Sequence, residues 1–281
     1  MSLILTVVLV AVASAGGVVV WAYNAEIDRA RAGVGKGARA VQTSAGFVEY
    51  GERGTGVPLL SIHGAGGGYD QGLTNAADFV GDGFRVIAPS RFGYLGTPVP
   101  AEATPTAQAD THAALLDALN IDRAVVVGVS AGARSAIELA LRHPDRVTAL
   151  ILIVPATYAP SNPPAIEGSH GSRLAFWFVN AGADFAWWAI EKIAPSVLIR
   201  FLGVPPEVVA VASEAEQARV RRIVKSVQPL SQRFRGINLD SIPSLQRLPI
   251  ESVGVPTLVV SARDDLFSTV AAATKTNTAA I

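Results

Sequence analysis

The chain has 281 residues, half of them apolar, and its 23 lysines and arginines balance 23 aspartates and glutamates. This excludes a disordered chain, leaves ample material for a full α/β core, and with no long run of one sign gives no phosphate-tracking groove, so nucleic acid is not an expected partner. The absence of cysteine excludes disulfides, thiolate metal ligands and cysteine catalysis, and the four histidines, His63, His112, His143 and His170, are not spaced as metal ligands.

Residues 3 to 23, "LILTVVLVAVASAGGVVVWAY", carry no charge. As a helix they would cross the roughly 30 Å hydrocarbon core of a bilayer, and residues 1–23 are read as a single-pass membrane anchor. The competing reading is a cleaved signal peptide ending at Ala13-Ser14-Ala15, which would make the protein secreted or periplasmic. Against it, only Met1 and Ser2 precede the run, so the basic leader region is missing, and apolar residues continue to Trp21 and Tyr23, types favoured at the membrane interface. Arg29, Arg31, Lys36 and Arg39 follow the span, which favours a cytoplasmic catalytic domain, although Glu26 and Asp28 are interleaved.

Residues 24–37 read as a polar connector, helical at first and then loosened by Gly33, Gly35 and Gly37. The domain from 38 to 281 begins with the strands "ARAVQT" and "FVEYGE" and a more buried strand "PLLSI". A helix from Gln71 to Val80, the strand "FRVIAPS", a helix from Thr106 to Leu119, the strand "AVVVGV", a helix from Ala131 to Arg142 and the strand "VTALILIVP" follow. Strands alternating with helices predict a mostly parallel sheet covered on both faces. From about 156 to 248 the alternation stops, and proline clusters with the aromatic stretches "LAFWFV" and "DFAWWAIEKIA" predict a helical lid. Phe176, Trp177, Phe178, Phe185, Trp187 and Trp188 either pack the lid on the core or favour an apolar substrate or a nearby bilayer. The sheet resumes at "TLVVSA".

Ser130 lies in Gly128-Val129-Ser130-Ala131-Gly132, between a buried-strand sequence and the amphipathic helix former "ARSAIELALR". A strand turning sharply into a helix needs small residues two positions either side of an exposed serine, and the next amide, that of Ala131, then points at developing negative charge. The motif alone also fits a glycine-rich turn with an incidental serine; its context makes Ser130 the candidate nucleophile. Upstream, "IHGAGGGYDQG" is a glycine-rich turn able to present a second amide, that of Ala65 with Gly66 as the alternative. It lacks the lysine and Ser/Thr of a phosphate loop.

With "HGAGGG", "PSRFGY", "GVSAG", "LRHPDRV" and "SARDDLF" in this order, the chain resembles the α/β-hydrolase superfamily, specifically its lid-bearing, esterase-like members, over roughly residues 40 to 275. The resemblance implies an α/β-hydrolase fold, a Ser…Asp…His order, an oxyanion hole built from the "HGA" turn and the residue after the serine, and cofactor-free hydrolysis of carboxylic esters or related acyl bonds. It assigns the acid to Asp265, with Asp264 as runner-up. The same elbow serves thioesterases, carbon–carbon bond hydrolases, perhydrolases and acyltransferases. Dehalogenases and epoxide hydrolases of this fold carry aspartate where Ser130 stands.

The histidine departs from the pattern. The 16 residues after Asp265 contain none, so the final strand and the base-bearing loop are expected to be missing, through a chain cut short, with an exposed sheet edge and poor stability as consequences. His63 is read as a brace of the oxyanion turn, His112 as surface or packing, and His143 as a helix-end cation suited to the dipole. His170, in the lid, is the remaining candidate base. The expected substrate is a small apolar acyl compound; the competing reading is a non-catalytic scaffold binding an apolar ligand or a partner under its lid.

Overall fold

In a computed structural model, residues 3–157, 183–241 and 248–267 are described. Among these residues seven strands, β1 (Ala38–Thr43), β2 (Gly46–Arg53), β3 (Val57–Ile62), β4 (Phe84–Pro89), β5 (Ala124–Val129), β6 (Val147–Ile153) and β7 (Thr257–Val260), form one sheet in the order β1-β2-β4-β3-β5-β6-β7. Only Ser44 and Ala45 separate β1 from β2, too few for a crossover, so this pair is an antiparallel hairpin. Thr43 closes it by donating its hydroxyl to the Gly46 carbonyl at 2.7 Å and accepting from the Ala45 amide at 3.1 Å. The β2–β4 pair is also antiparallel, and every pairing from β4 through β7 is parallel.

Helices α2 (Tyr69–Phe79), α3 (Pro105–Ala118) and α4 (Ala133–Arg142) cover the sheet. Adjacent residues of one strand face opposite ways. Leu60, Ile87, Val126 and Leu150 therefore join one apolar cluster with Leu115, Leu116, Ile137 and Leu139, whereas Leu59, Val86 and Val127 join Ala76 in another. Burial on both faces explains the unbroken apolar strands. Thr104 starts α3 by accepting from the Ala107 amide, with Pro105 at the first helical position, where its missing N–H costs nothing.

The described part of the lid is helical: α5 (Asp184–Ile193), α6 (Pro195–Phe201), α7 (Pro206–Val211), α8 (Glu214–Ser226) and α9 (Phe234–Asp240). Trp187, Leu198, Val224 and Leu230 form its own core together with Tyr94 of the sheet domain. Phe176, Trp177 and Phe178 lie outside the described residues.

The N-terminal helix α1 (Leu3–Val34) is long and apolar enough to cross a membrane, and the most apolar part is fully exposed. It does not loosen after residue 24 but continues through Gly33. The stripe Tyr23, Ile27, Ala30 and Val34 recurs at helical spacing and turns onto the cap, with Ile27 and Val34 buried. Tertiary burial here outweighs the roughly 1 kcal/mol that glycine costs a helix. Tyr23 meets Phe185 and Trp188 edge-on at 5.2 and 5.7 Å between ring centroids, Glu26 pairs with Lys192 at 2.8 Å and Arg31 with Asp184 at 3.3 Å. Two of the lid aromatics thus seat α1.

Candidate active site

Strand β5 runs into a short 3-10 turn, Ser130–Gly132, and then α4. Ser130 has φ +49°, in the left-handed region where a side chain crowds its own backbone. The close fit around it explains the flanking glycines. A Cβ on Gly128 would lie 2.6 Å from Ala136 Cβ, and one on Gly132 would lie 2.5 Å from the His63 carbonyl oxygen. The Ser130 carbonyl accepts from the Ala156 amide at 3.0 Å, which ties the elbow to the segment leaving β6.

The glycine-rich turn after β3 stands beside this serine. A Cβ on Gly64 would lie 3.1 Å from Ser130 Cβ, tighter than nearly all real contacts, so a side chain there would push on the serine. Ala65 is exposed at the crest of the turn, and Gly66 has φ +75°. The Gly64 amide donates to Gln71 Oε1 at 3.1 Å, and the Gly66 amide to the Tyr94 hydroxyl at 3.3 Å.

Two buried arginines hold the turn against the cap. Arg91 pairs with Asp240 through both guanidinium nitrogens, at 2.7 and 2.6 Å, while its Nε donates to the His63 carbonyl at 3.0 Å. The Tyr94 hydroxyl donates to the same carboxylate. Burial, then the Asp240 charge, pushes the Tyr94 phenol well above its ordinary range, so it stays a donor. Arg233, fully buried, donates to the Gly67 carbonyl at 2.6 Å and makes a two-pronged pair with Asp70 at 3.1 and 2.7 Å. Sequence reasoning missed Tyr94, Asp240 and Arg233; the visible signal was an arginine and a tyrosine in "PSRFGY" directly after an apolar strand.

The histidines among the described residues are all engaged away from Ser130. His63 is buried, donates from Nδ1 to the Gly64 carbonyl at 2.7 Å and accepts at Nε2 from the Arg91 amide at 3.0 Å; this network assigns its tautomer and makes it a brace. Burial, reinforced by the Arg91 charge, holds its pKa well below the usual histidine value, so the ring is neutral. His112 is buried in packing, its Nε2 3.2 Å from Ser135 Oγ, and burial pushes its pKa down to about 3. His143 caps α4 and meets Asp110 at 2.7 Å. His170 lies outside the described residues. No cluster of histidine, aspartate and glutamate able to hold a metal occurs among the described residues.

Asp265 follows β7 by five residues, with Oδ1 accepting from the Phe267 amide at 3.0 Å beside Gly203 of the cap, whereas Asp264 is exposed. The register lines up Val129, Ile153 and Val260 across β5, β6 and β7. The segments carrying Ser130 and Asp265 therefore leave the same edge of the sheet, two strand spacings or roughly 10 Å apart. Ligand sites of open parallel sheets lie at this carboxyl edge. A hydroxyl beside a helix-start amide and a braced glycine-rich turn is an arrangement suited to acyl transfer.

The model of the α/β-hydrolase fold family matches residues 57–189, which span the glycine turn, the elbow and the start of the cap. The chain has the α/β-hydrolase fold and is similar to that superfamily over this stretch. Among curated relatives of this superfamily, the 2-hydroxymuconate semialdehyde hydrolase of Pseudomonas putida is 38% identical over 146 residues, covering 51% of this chain and 46% of that protein. The chain thus spans about half the length of the curated relatives it matches. Among solved α/β-hydrolases, a fold protein from Nakamurella multipartita is 28% identical with TM-score 0.57 over 84% of this chain and 86% of its own. A thermophilic esterase from Thermogutta terrifontis is 25% identical with TM-score 0.52, over 82% of each chain.

Proposed function

We propose that the protein is a membrane-anchored serine hydrolase acting on carboxylic esters or related acyl bonds. Ser130 is the nucleophile, the amides of Ala65 and Ala131 stabilise the oxyanion, and Asp265 is the acid that orients the base. The observation that carries this reading is the left-handed φ of Ser130 at a strand-to-helix turn, packed against the Gly64 turn. Backbone strain of about 1–3 kcal/mol is commonly stored at functional sites, and in this reading it holds a hydroxyl at the carboxyl edge of the sheet. The engagement of the Gly66 amide by Tyr94 favours Ala65 over Gly66 as the second donor.

In this reading Ser130 Oγ attacks the substrate carbonyl while its proton passes to the base. The tetrahedral oxyanion collapses, the leaving group departs with that proton, and water then hydrolyses the acyl-serine. The roughly 10 Å between the strand ends suits an acid that acts through an interposed ring rather than on the serine directly. His63, His112 and His143 are engaged elsewhere, so His170 is the first base to test, by His170→Ala. The relatives named for 2-hydroxymuconate semialdehyde and 2-hydroxy-6-oxo-6-phenylhexa-2,4-dienoate extend the candidate substrates to oxo acids cleaved beside a carbonyl.

A fluorophosphonate probe tests the assignment. Mass analysis is expected to find the adduct on Ser130, and Ser130→Ala is expected to abolish labelling; an adduct elsewhere that persists in the variant overturns it. The engagement of the described histidines favours a second reading, a non-catalytic scaffold, for which no labelling is the expected result.

The anchor rests on the exposed, uncharged first part of α1. Flotation of the full chain with lipid vesicles, retained at alkaline pH, is the expected outcome. A mature protein beginning near residue 16 would mean signal cleavage instead.

A further inference from the structure

A cleft of about 540 Å3 opens between the second half of α1 and the cap. Its α1 wall begins at Tyr23, where the uncharged stretch ends, and runs to Val34; Trp188 and Glu191 of α5 and Arg222 and Lys225 of α8 face it. Three carboxylates line it, and each has a cation beside it. Lys192 lies 2.8 Å from Glu26 and 3.7 Å from Glu191, and Arg233 grips Asp70 from a fully buried position. Lys225 approaches Glu191 only at 3.8 Å, while Arg29 and Arg222 form no ion pair among the described residues. Lys192 and Arg233 offset two of the three carboxylates from behind, so Arg29, Arg222 and Lys225 against the remaining one leave the cleft a net positive surplus.

The level of these charges is informative. Arg29 lies six residues beyond Tyr23, about 9 Å further along the helix axis. With the hydrocarbon boundary at Trp21 and Tyr23, the Arg29 backbone stands just beyond a headgroup layer some 5–8 Å deep, and its long side chain can reach back to the phosphates. The cluster of Tyr23, Phe185 and Trp188 provides amphipathic rings at the boundary itself.

We propose that this cleft binds the phosphodiester headgroup of an anionic glycerophospholipid, with the phosphate held by Arg29, Arg222 and Lys225 and the acyl chains lying along the exposed apolar part of α1. This rests on the reading that α1 spans the membrane. A bound lipid bridges α1 to α5 and α8, so it stabilises the folded chain by mass action.

The test titrates the full chain in nonionic detergent with monomeric dihexanoyl-phosphatidylglycerol and follows the melting temperature. A saturable rise is expected, with affinity at least tenfold weaker in Arg222→Gln/Lys225→Gln. Arg219→Gln removes a charge from the same helix, but Arg219 pairs with Glu216 and Asp78 outside the cleft, and it is expected to change affinity less than twofold. The proposal is overturned by no saturable rise, by an equal response to dihexanoyl-phosphatidylcholine, by equal potency of inorganic phosphate, or by an Arg219→Gln loss matching that of the pair. The titration needs no bilayer, so failure of the anchor reading shows separately, as a full chain that does not float with vesicles.

Discussion

The Tyr94 hydroxyl accepts from the Gly66 amide at 3.3 Å and donates to Asp240, so a residue of the cap holds the glycine turn beside Ser130. Arg91 fixes the same carboxylate with two further hydrogen bonds. Tyr94→Phe removes the acceptor of the Gly66 amide and leaves the ring in place. A net hydrogen bond is worth about 1 kcal/mol, so kcat is expected to fall roughly fivefold with KM little changed. Steady-state ester kinetics checks this; a change confined to KM would mean that the turn contributes to binding rather than to the transition state.

Asp240→Asn should act mainly on stability. It leaves the Arg91 guanidinium buried without its counter-charge, and breaking such a pair costs about 3–5 kcal/mol. A large fall in melting temperature of the full chain is the expected result, and an unchanged one would mean that water reaches Arg91.

Strain at the elbow predicts that relieving the positive φ of Ser130 stabilises the fold. Ser130→Gly relieves the positive φ, whereas Ser130→Ala retains it. Both are expected to be inactive, with the glycine variant more stable than the alanine variant by about 1 kcal/mol. Thermal unfolding of the two side by side reads the difference.

Much of the sheet is legible in the sequence because β3, β4, β5 and β6 are buried on both faces and therefore read as unbroken apolar runs. The brace role of His63 is legible as well, since it sits within the glycine turn that it supports. The pairs that hold this turn are not. Arg91 and Asp240 are 149 residues apart, and Arg233 and Asp70 are 163 apart, so nothing local marks them as partners. The second half of α1 was equally hidden, because three glycines signal a loose connector and only the docked cap face explains a helix through Gly33. At the other end of the sheet, β7 shows Leu258 and Val260 about half exposed.

Two buried neutral histidines set an acid limit. In the unfolded chain His63 and His112 titrate near pH 6.5, whereas the folded chain holds His112 at about 3 and His63 well below its ordinary value. Below about 6.5 the unfolded chain therefore binds more protons, so stability is full above that pH and declines as pH falls toward 3. With both rings contributing, the slope approaches about 2.7 kcal/mol per pH unit. Unfolding free energies between pH 7.5 and 4.5 check this, and His112→Asn is expected to remove about half of the slope.

The central claim is that Ser130 performs nucleophilic chemistry. The most direct measurement is hydrolysis of p-nitrophenyl butyrate by the full chain and by Ser130→Ala, with matched melting temperatures as the control for folding. The account predicts measurable turnover in the first and a loss of at least about a thousandfold in the second. Equal rates in the two proteins, or no turnover in either, would contradict it.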